Sequence, residues 1–252
     1  MIRTLAAAML LVLAHGCGDR GASPGVTVFV AASTLDAVEQ IARDFESETG
    51  IVVRVNAAAT SMLTTQIIEG AESDLFLAAS PEWADRVIEQ RSVIARVDLL
   101  SNQLVVIVPA DTHLRISSPS DVAQASVKRL ALADTEAVPV GIYGRRALES
   151  WGIWPRVRER LIIAQDARHA LWLVESGGAD AGIVYSTDAA ASDRVRVALR
   201  IDAADSGPVT YPLLLLHESP AARAFHQHLQ SPRAAETFRG KGYGLAVPGA
   251  GG

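Results

Sequence analysis

The 252-residue sequence contains a single cysteine, Cys17, so no intramolecular disulfide can form. Aromatic residues make up only 5% of the chain and the formal charge is −5. A nucleic-acid surface needs a basic stripe interleaved with stacking rings, so that class of partner is excluded. No long run of like charge occurs, and past residue 17 no apolar run approaches the roughly 20 residues a membrane helix requires. No serine, cysteine or threonine stands in a recognisable nucleophile and base arrangement, which argues against a hydrolase.

What is present is apolar and small. A content of 49% hydrophobic residues and a mean hydropathy of +0.21 are ample for a buried core, in one large domain or two lobes. Residues 1–16 carry one positive charge, Arg3, then an apolar stretch of signal-peptide length and small residues before Cys17. This reads as an export signal, and A14-H-G-C17 resembles a bacterial lipobox with alanine in place of the usual leucine. Lipidation of Cys17 is therefore expected, with ordinary cleavage and release as the alternative. Loss of Arg3 with the signal takes the formal charge to −6. Residues 17–25 form a glycine-rich polar linker.

From Val26 onward, apolar runs alternate with helical patterns. Val26 to Ala31 reads as a buried strand, and Leu35, Val38, Ile41 and Phe45 recur at helical spacing up to Gly50. The unit repeats as Ile51 to Val55 with Leu63 to Ile68, and as Leu75 to Ala78 with Pro81 to Gln90. Ser80 followed by Pro81 and Glu82 is a strong helix start. A second series follows the long strand Leu104 to Pro109: Leu130 to Ala133, a helix from Gly141 to Trp151, Leu161 to Ala164, a helix from Arg168 to Glu175, and Gly182 to Tyr185. Tyr211 to Leu216 is another long strand, and the helices Ala221 to Leu229 and Arg233 to Phe238 follow it. Such alternation predicts an α/β fold with parallel-rich sheets. The expected division is a first lobe of residues 25–103 plus 208–248, and a second lobe of residues 104–207 inserted between them. The two long strands are expected to connect the lobes.

Four strand ends place small or hydroxylated residues where a helix begins: A31-A-S-T-L-D-A37, A59-T-S-M-L-T-T-Q-I67, V138-P-V-G-I-Y143 and G182-I-V-Y-S-T-D-A189. A helix start leaves N–H groups unpaired with the positive end of the helix dipole behind them, which suits a small anion without any cation. Each cluster alone is also explained as a helix cap or a tight turn. Asp166 reads as an N-cap turned back onto its own helix. His226 and His228, two residues apart on a helix, point in different directions and are not expected to form a metal site. G240-K-G-Y-G244 follows a helix, unlike a dinucleotide loop. Trp151, Trp154 and Trp172 are read as packing residues.

Taken in order, V28-F-V-A-A-S33, G70-A-E-S-D-L-F-L77, V138-P-V-G-I-Y143 and G182-I-V-Y-S-T-D-A189 resemble the molybdate-binding proteins of bacterial ABC importers. The resemblance runs from about Val26 to Leu245. It implies a type II periplasmic-binding-protein-like fold, two sheets flanked by helices with the ligand cleft between the lobes. It also implies a set of oxyanion ligands: the hydroxyls of Ser33 and Thr60, the backbone N–H groups of Val140 and Ala167, and the hydroxyl of Tyr185. Thr60 stands where the family has serine, and Val140 where it often has alanine; neither change removes a donor. The implied function is extracytoplasmic capture of molybdate or tungstate and delivery to the permease subunits of an ABC importer. The protein would act as a monomer held by a lipid anchor, with no catalysis, no cofactor and no metal other than that of the oxyanion. A sulfate-type binder is the alternative within this class, and an enzyme or effector domain of the same fold is the alternative outside it.

Overall fold

The computed structural model describes residues 25–246. The expected signal, Cys17, most of the linker and the last residues lie outside them. The first apolar run forms β1 (Val26–Ala31), buried at every position but Thr27, as its lack of polar alternation requires. A single 3-10 turn over Ala32–Thr34 leads into α1 (Leu35–Thr49), which buries Val38, Ile41, Ala42 and Phe45. Gly50 ends it in the left-handed conformation, at φ 71°, where a side chain would be strained. The unit recurs as β2 (Val53–Ala58) with α2 (Thr60–Ile68), and as β3 (Leu75–Leu77) with α3 (Pro81–Gln90). Ser80 caps α3 by accepting the Trp83 N–H, with Pro81 at the first helical position.

The chain then runs through β4 (Ala95–Asn102) and crosses at Gln103 into β5 (Leu104–Pro109) of a second sheet. That sheet is completed by β6 (Leu130–Ala133), β7 (Leu161–Ala164), β8 (Ala181–Tyr185) and β9 (Val195–Ile201). Helices α4 (Pro139–Ser150), α5 (Trp154–Val157), α6 (Ala167–Glu175) and α7 (Ser186–Ala190) lie between these strands in sequence. A short α8 (Ala203–Ser206) leads back to β10 (Val209–Leu215) of the first sheet, and α9 (Pro220–Leu229), α10 (Pro232–Gly240) and β11 (Gly244–Leu245) follow. Strand order is β11-β4-β10-β3-β1-β2 in one sheet and β7-β6-β8-β5-β9 in the other.

Both sheets are mixed. Pairing is parallel where strand, helix and strand follow in series, as for β1 with β2 and β3 and for β6 with β7 and β8. It is antiparallel where the chain returns, as for β10 with β3 and β4 and for β5 with β8 and β9. The long strands β5 and β10 do not bridge the lobes; each is paired on both sides within one sheet. A buried strand needs partners for its N–H and C=O groups along its length, which a connector lacks. The crossings are instead Gln103 and the segment 202–208. One apolar cluster joins Val28, Leu75 and Leu213 of the first sheet with Leu104, Leu132 and Ile183 of the second, so the two lobes pack against each other.

Candidate anion site

The carboxyl ends of strands from both sheets meet at a small cavity of about 20 Å3. A space of this size suits one compact group. Ser33, Thr60, Val140, Ala167 and Tyr185 all line it. Ser33 lies in the turn after β1, and Thr60 opens α2. Val140 is the second residue of α4, Ala167 the first of α6, and Tyr185 the last of β8. None of the five is more than 5% exposed.

Four of the five groups stand free to donate, and Ser33 shares its hydroxyl with Tyr211. Thr60 Oγ1 accepts the Ala79 N–H at 3.1 Å, which leaves its own hydrogen free to donate. Tyr185 is fully buried and its hydroxyl has no partner within the protein. Burial, followed by the neighbouring Tyr211, Tyr143 and Asp188, pushes its pKa well above the ordinary value, so it stays a neutral O–H donor. Val140 and Ala167 sit in first helical turns, whose N–H groups have no carbonyl four residues back in their own helix. The positive ends of α4 and α6 therefore stand behind the cavity. Ser33 Oγ lies 3.4 Å from the Tyr211 hydroxyl, and the Ser33 carbonyl accepts the Tyr243 O–H at 2.6 Å. These contacts hold the turn in place.

Asp166 also lines the cavity, but its carboxylate caps α6 by accepting the His169 N–H at 2.8 Å. A carboxylate so occupied does not replace a donor. Gly141 is required by a close approach within the chain itself. A Cβ there would lie 2.1 Å from the Asp134 carbonyl oxygen and 2.4 Å from that of Ala133. The close approach is thus to the chain's own β6–α4 turn, and it sets where α4 begins and where Val140 points its N–H.

No cation lines the cavity among the described residues. Arg168, next to Ala167, is held from two sides: its Nη2 is 2.7 Å from Asp36 of α1, and its Nε is 3.1 Å from Asp188 of α7. The Asp188 contact is an ion pair without good hydrogen-bond alignment. Asp188 is fully buried, and that burial pushes its pKa up to about 7 against the lowering effect of Arg168. Arg168 thereby bridges the lobes on one flank of the cavity. Arg146 of α4, 3.4 Å from Glu82 of α3, bridges them on another.

Several neighbours escaped the sequence reading. Tyr211, within an apolar strand, stands behind Ser33 with ring centroids 5.8 Å from both Tyr185 and Tyr243. The available signal was scarcity: the chain has four tyrosines, and three of them gather here. Asn102 donates to Tyr211 and to Thr187. Of the three tryptophans read as packing residues, Trp151 and Trp154 lie against the core, whereas Trp172 is 54% exposed beside His169. His226 lies by Gln230, and His228 faces the Phe45 ring.

A small cavity between two α/β lobes, lined by hydroxyls and helix starts, is the arrangement of a solute-binding protein. The chain belongs to the bacterial extracellular solute-binding protein family, whose profile matches residues 26–244. It is 36% identical over 250 residues to the molybdate-binding protein ModA of Escherichia coli, with 96% of this chain and 95% of that one covered. It is 30% identical to a putative ABC transporter substrate-binding lipoprotein, YvgL, of Bacillus subtilis, over 95% of this chain and 96% of that one. The fold is also that of the periplasmic molybdate-binding protein of Azotobacter vinelandii, with a TM-score of 0.78, 22% identity, and coverage of 88% of this chain and 100% of that one.

Proposed function

We propose that this protein captures molybdate or tungstate outside the cytoplasm and delivers it to the permease of an ABC importer. The observation that carries the reading is the cavity's polarity: three hydroxyls and two helix-start N–H groups, with the one carboxylate turned away. A tetrahedral dianion with no proton to share needs only donors. A protonated anion needs an acceptor that this set does not offer. The named relatives in Escherichia coli and Azotobacter point to molybdate among such dianions.

Binding would require the lobes to be closed, so the anion stabilises the closed form by its differential affinity. Ser33 and Thr60 would act from the first lobe, and Val140, Ala167 and Tyr185 from the second. No catalytic step and no cofactor is part of this function, and one chain suffices for it. Cys17, where the export signal ends, would carry the lipid that keeps the protein beside its permease; the lipoprotein of Bacillus subtilis is a relative of that type.

A melting-temperature scan against molybdate, tungstate, sulfate and phosphate tests the reading, because a ligand that binds only the folded protein raises the transition. Molybdate and tungstate should each raise it by several degrees. A rise with sulfate alone, or with none of the four, would defeat the proposal.

A further inference from the structure

Asn102, the last residue of β4, stands at the crossing between lobes. Its Oδ1 accepts the Gln103 N–H at 2.8 Å and the Ser186 hydroxyl at 2.9 Å. A backbone N–H can only donate, so this contact fixes which end of the amide is oxygen. Nδ2 must then be the atom that faces Thr187 Oγ1 at 2.9 Å and the Tyr211 hydroxyl at 3.2 Å, and it can only donate to them. Tyr211 is fully buried. Its oxygen accepts from Asn102, and Ser33 Oγ, 3.4 Å away, stands within reach of its hydrogen. In that direction Ser33 Oγ accepts on its inner side, and its hydrogen is left for the cavity.

We infer that Asn102 and Tyr211 form a relay that fixes the direction of the Ser33 O–H, so that Ser33 meets the anion as a donor and disfavours any anion carrying its own proton. The inference rests on the oxyanion reading above and names what sets its selectivity. A serine hydroxyl left to itself can rotate and offer a lone pair. Monohydrogen phosphate could then bring its O–H to that lone pair, whereas a Ser33 whose hydrogen is already directed at the anion turns a donor toward the phosphate proton. Thr60 receives the same treatment from the Ala79 N–H, so both first-lobe hydroxyls are supplied with a hydrogen from behind. The relay also spans the lobes: Asn102 bonds to Ser186 and Thr187 of the second and to Tyr211 of the first. Tyr211 and Asn102 are positioning residues in this scheme, acting through Ser33.

The test is a double-mutant cycle read by calorimetry with molybdate and with phosphate. Wild type, Tyr211→Phe, Ser33→Ala and the double variant are compared, each first shown to melt cooperatively. Tyr211→Phe should weaken molybdate binding about three- to tenfold, the effect of one neutral hydrogen bond. The molybdate-to-phosphate affinity ratio should fall with it. In the Ser33→Ala background the same change should cost less than about twofold, because the relay then has nothing to orient. Additive losses, or an unchanged affinity ratio in Tyr211→Phe, would overturn the relay and leave Tyr211 a packing residue. Should Tyr211→Phe not fold, Asn102→Ala run through the same cycle carries the same expectations and the same refutation. Wild-type protein that fails to bind molybdate would overturn the oxyanion reading and the relay with it. Wild-type binding with an unresponsive cycle overturns the relay alone.

Discussion

Replacing Tyr185 by phenylalanine deletes one oxygen and leaves the ring that packs on Tyr211. That oxygen has no partner within the protein, so its loss breaks no internal hydrogen bond. In the bound state the same hydroxyl would donate to a dianion, an interaction worth roughly 1.5 to 3 kcal/mol. Tyr185→Phe should therefore weaken molybdate about 12- to 150-fold while the ligand-free melting temperature stays level or rises. For a chain of this size 1 kcal/mol corresponds to about 2 to 4 °C, so differential scanning fluorimetry resolves the two effects and calorimetry gives the affinity. The combination separates a ligand-facing donor from a structural tyrosine, for which both quantities would fall together. Unaltered affinity, or a ligand-free transition lowered by several degrees with affinity intact, would refute the reasoning.

Other substitutions should split differently. Thr60→Val removes an anion donor and also strands the Ala79 N–H, so it should lose affinity and about 1 to 3 kcal/mol of stability; Thr60→Ser should keep both, as titration and melting will show. Asp36→Ala breaks one half-exposed pair with Arg168 and should cost at most about 1 kcal/mol in chemical denaturation. Arg168→Met instead leaves buried Asp188 without its cation; protonation of Asp188 relieves the loss at and below about pH 7, and only in alkaline solution should the cost approach about 3 kcal/mol. Asp188 itself predicts a pH dependence: its pKa is raised from 3.8 to about 7, so the folded state holds an extra proton between those values. Its contribution to stability should decline as pH rises from about 4 to about 7 and level off above. Asp188→Asn should flatten that part of the melting-temperature profile.

The sequence made the buried parallel strands and their helices readable because each is a continuous apolar run ended by a capping or turn residue. β5, β6 and β7 span the residues expected of them, and α3 starts at its Ser80–Pro81 signal. β4 and β9 were missed because they are half-exposed and carry Arg96 and Asp98, or Arg196 and Arg200, between their apolar residues. Their alternation of period two is a strand signal of another kind. β2 extends to Ala58, beyond the apolar Ile51 to Val55, because pairing with β1 through Ala31 holds it in the sheet. At the site, the motifs at helix starts were legible because donors must lie there. The groups behind them were not: Asn102 and Tyr211 meet Ser33 only through long-range packing, across 109 residues for Asn102 and Tyr211 and 178 for Ser33 and Tyr211. No local pattern encodes such contacts.

The most direct test of the central claim is a crystal structure of the protein with molybdate, with the metal located by its anomalous scattering. The account predicts one peak in the interlobe cavity, with the oxyanion within hydrogen-bond reach of the Ser33, Thr60 and Tyr185 hydroxyls and of the Val140 and Ala167 N–H groups. A peak elsewhere, such as in the larger cleft beside Arg239 and Lys241, or an anion bound through cationic side chains, would contradict it.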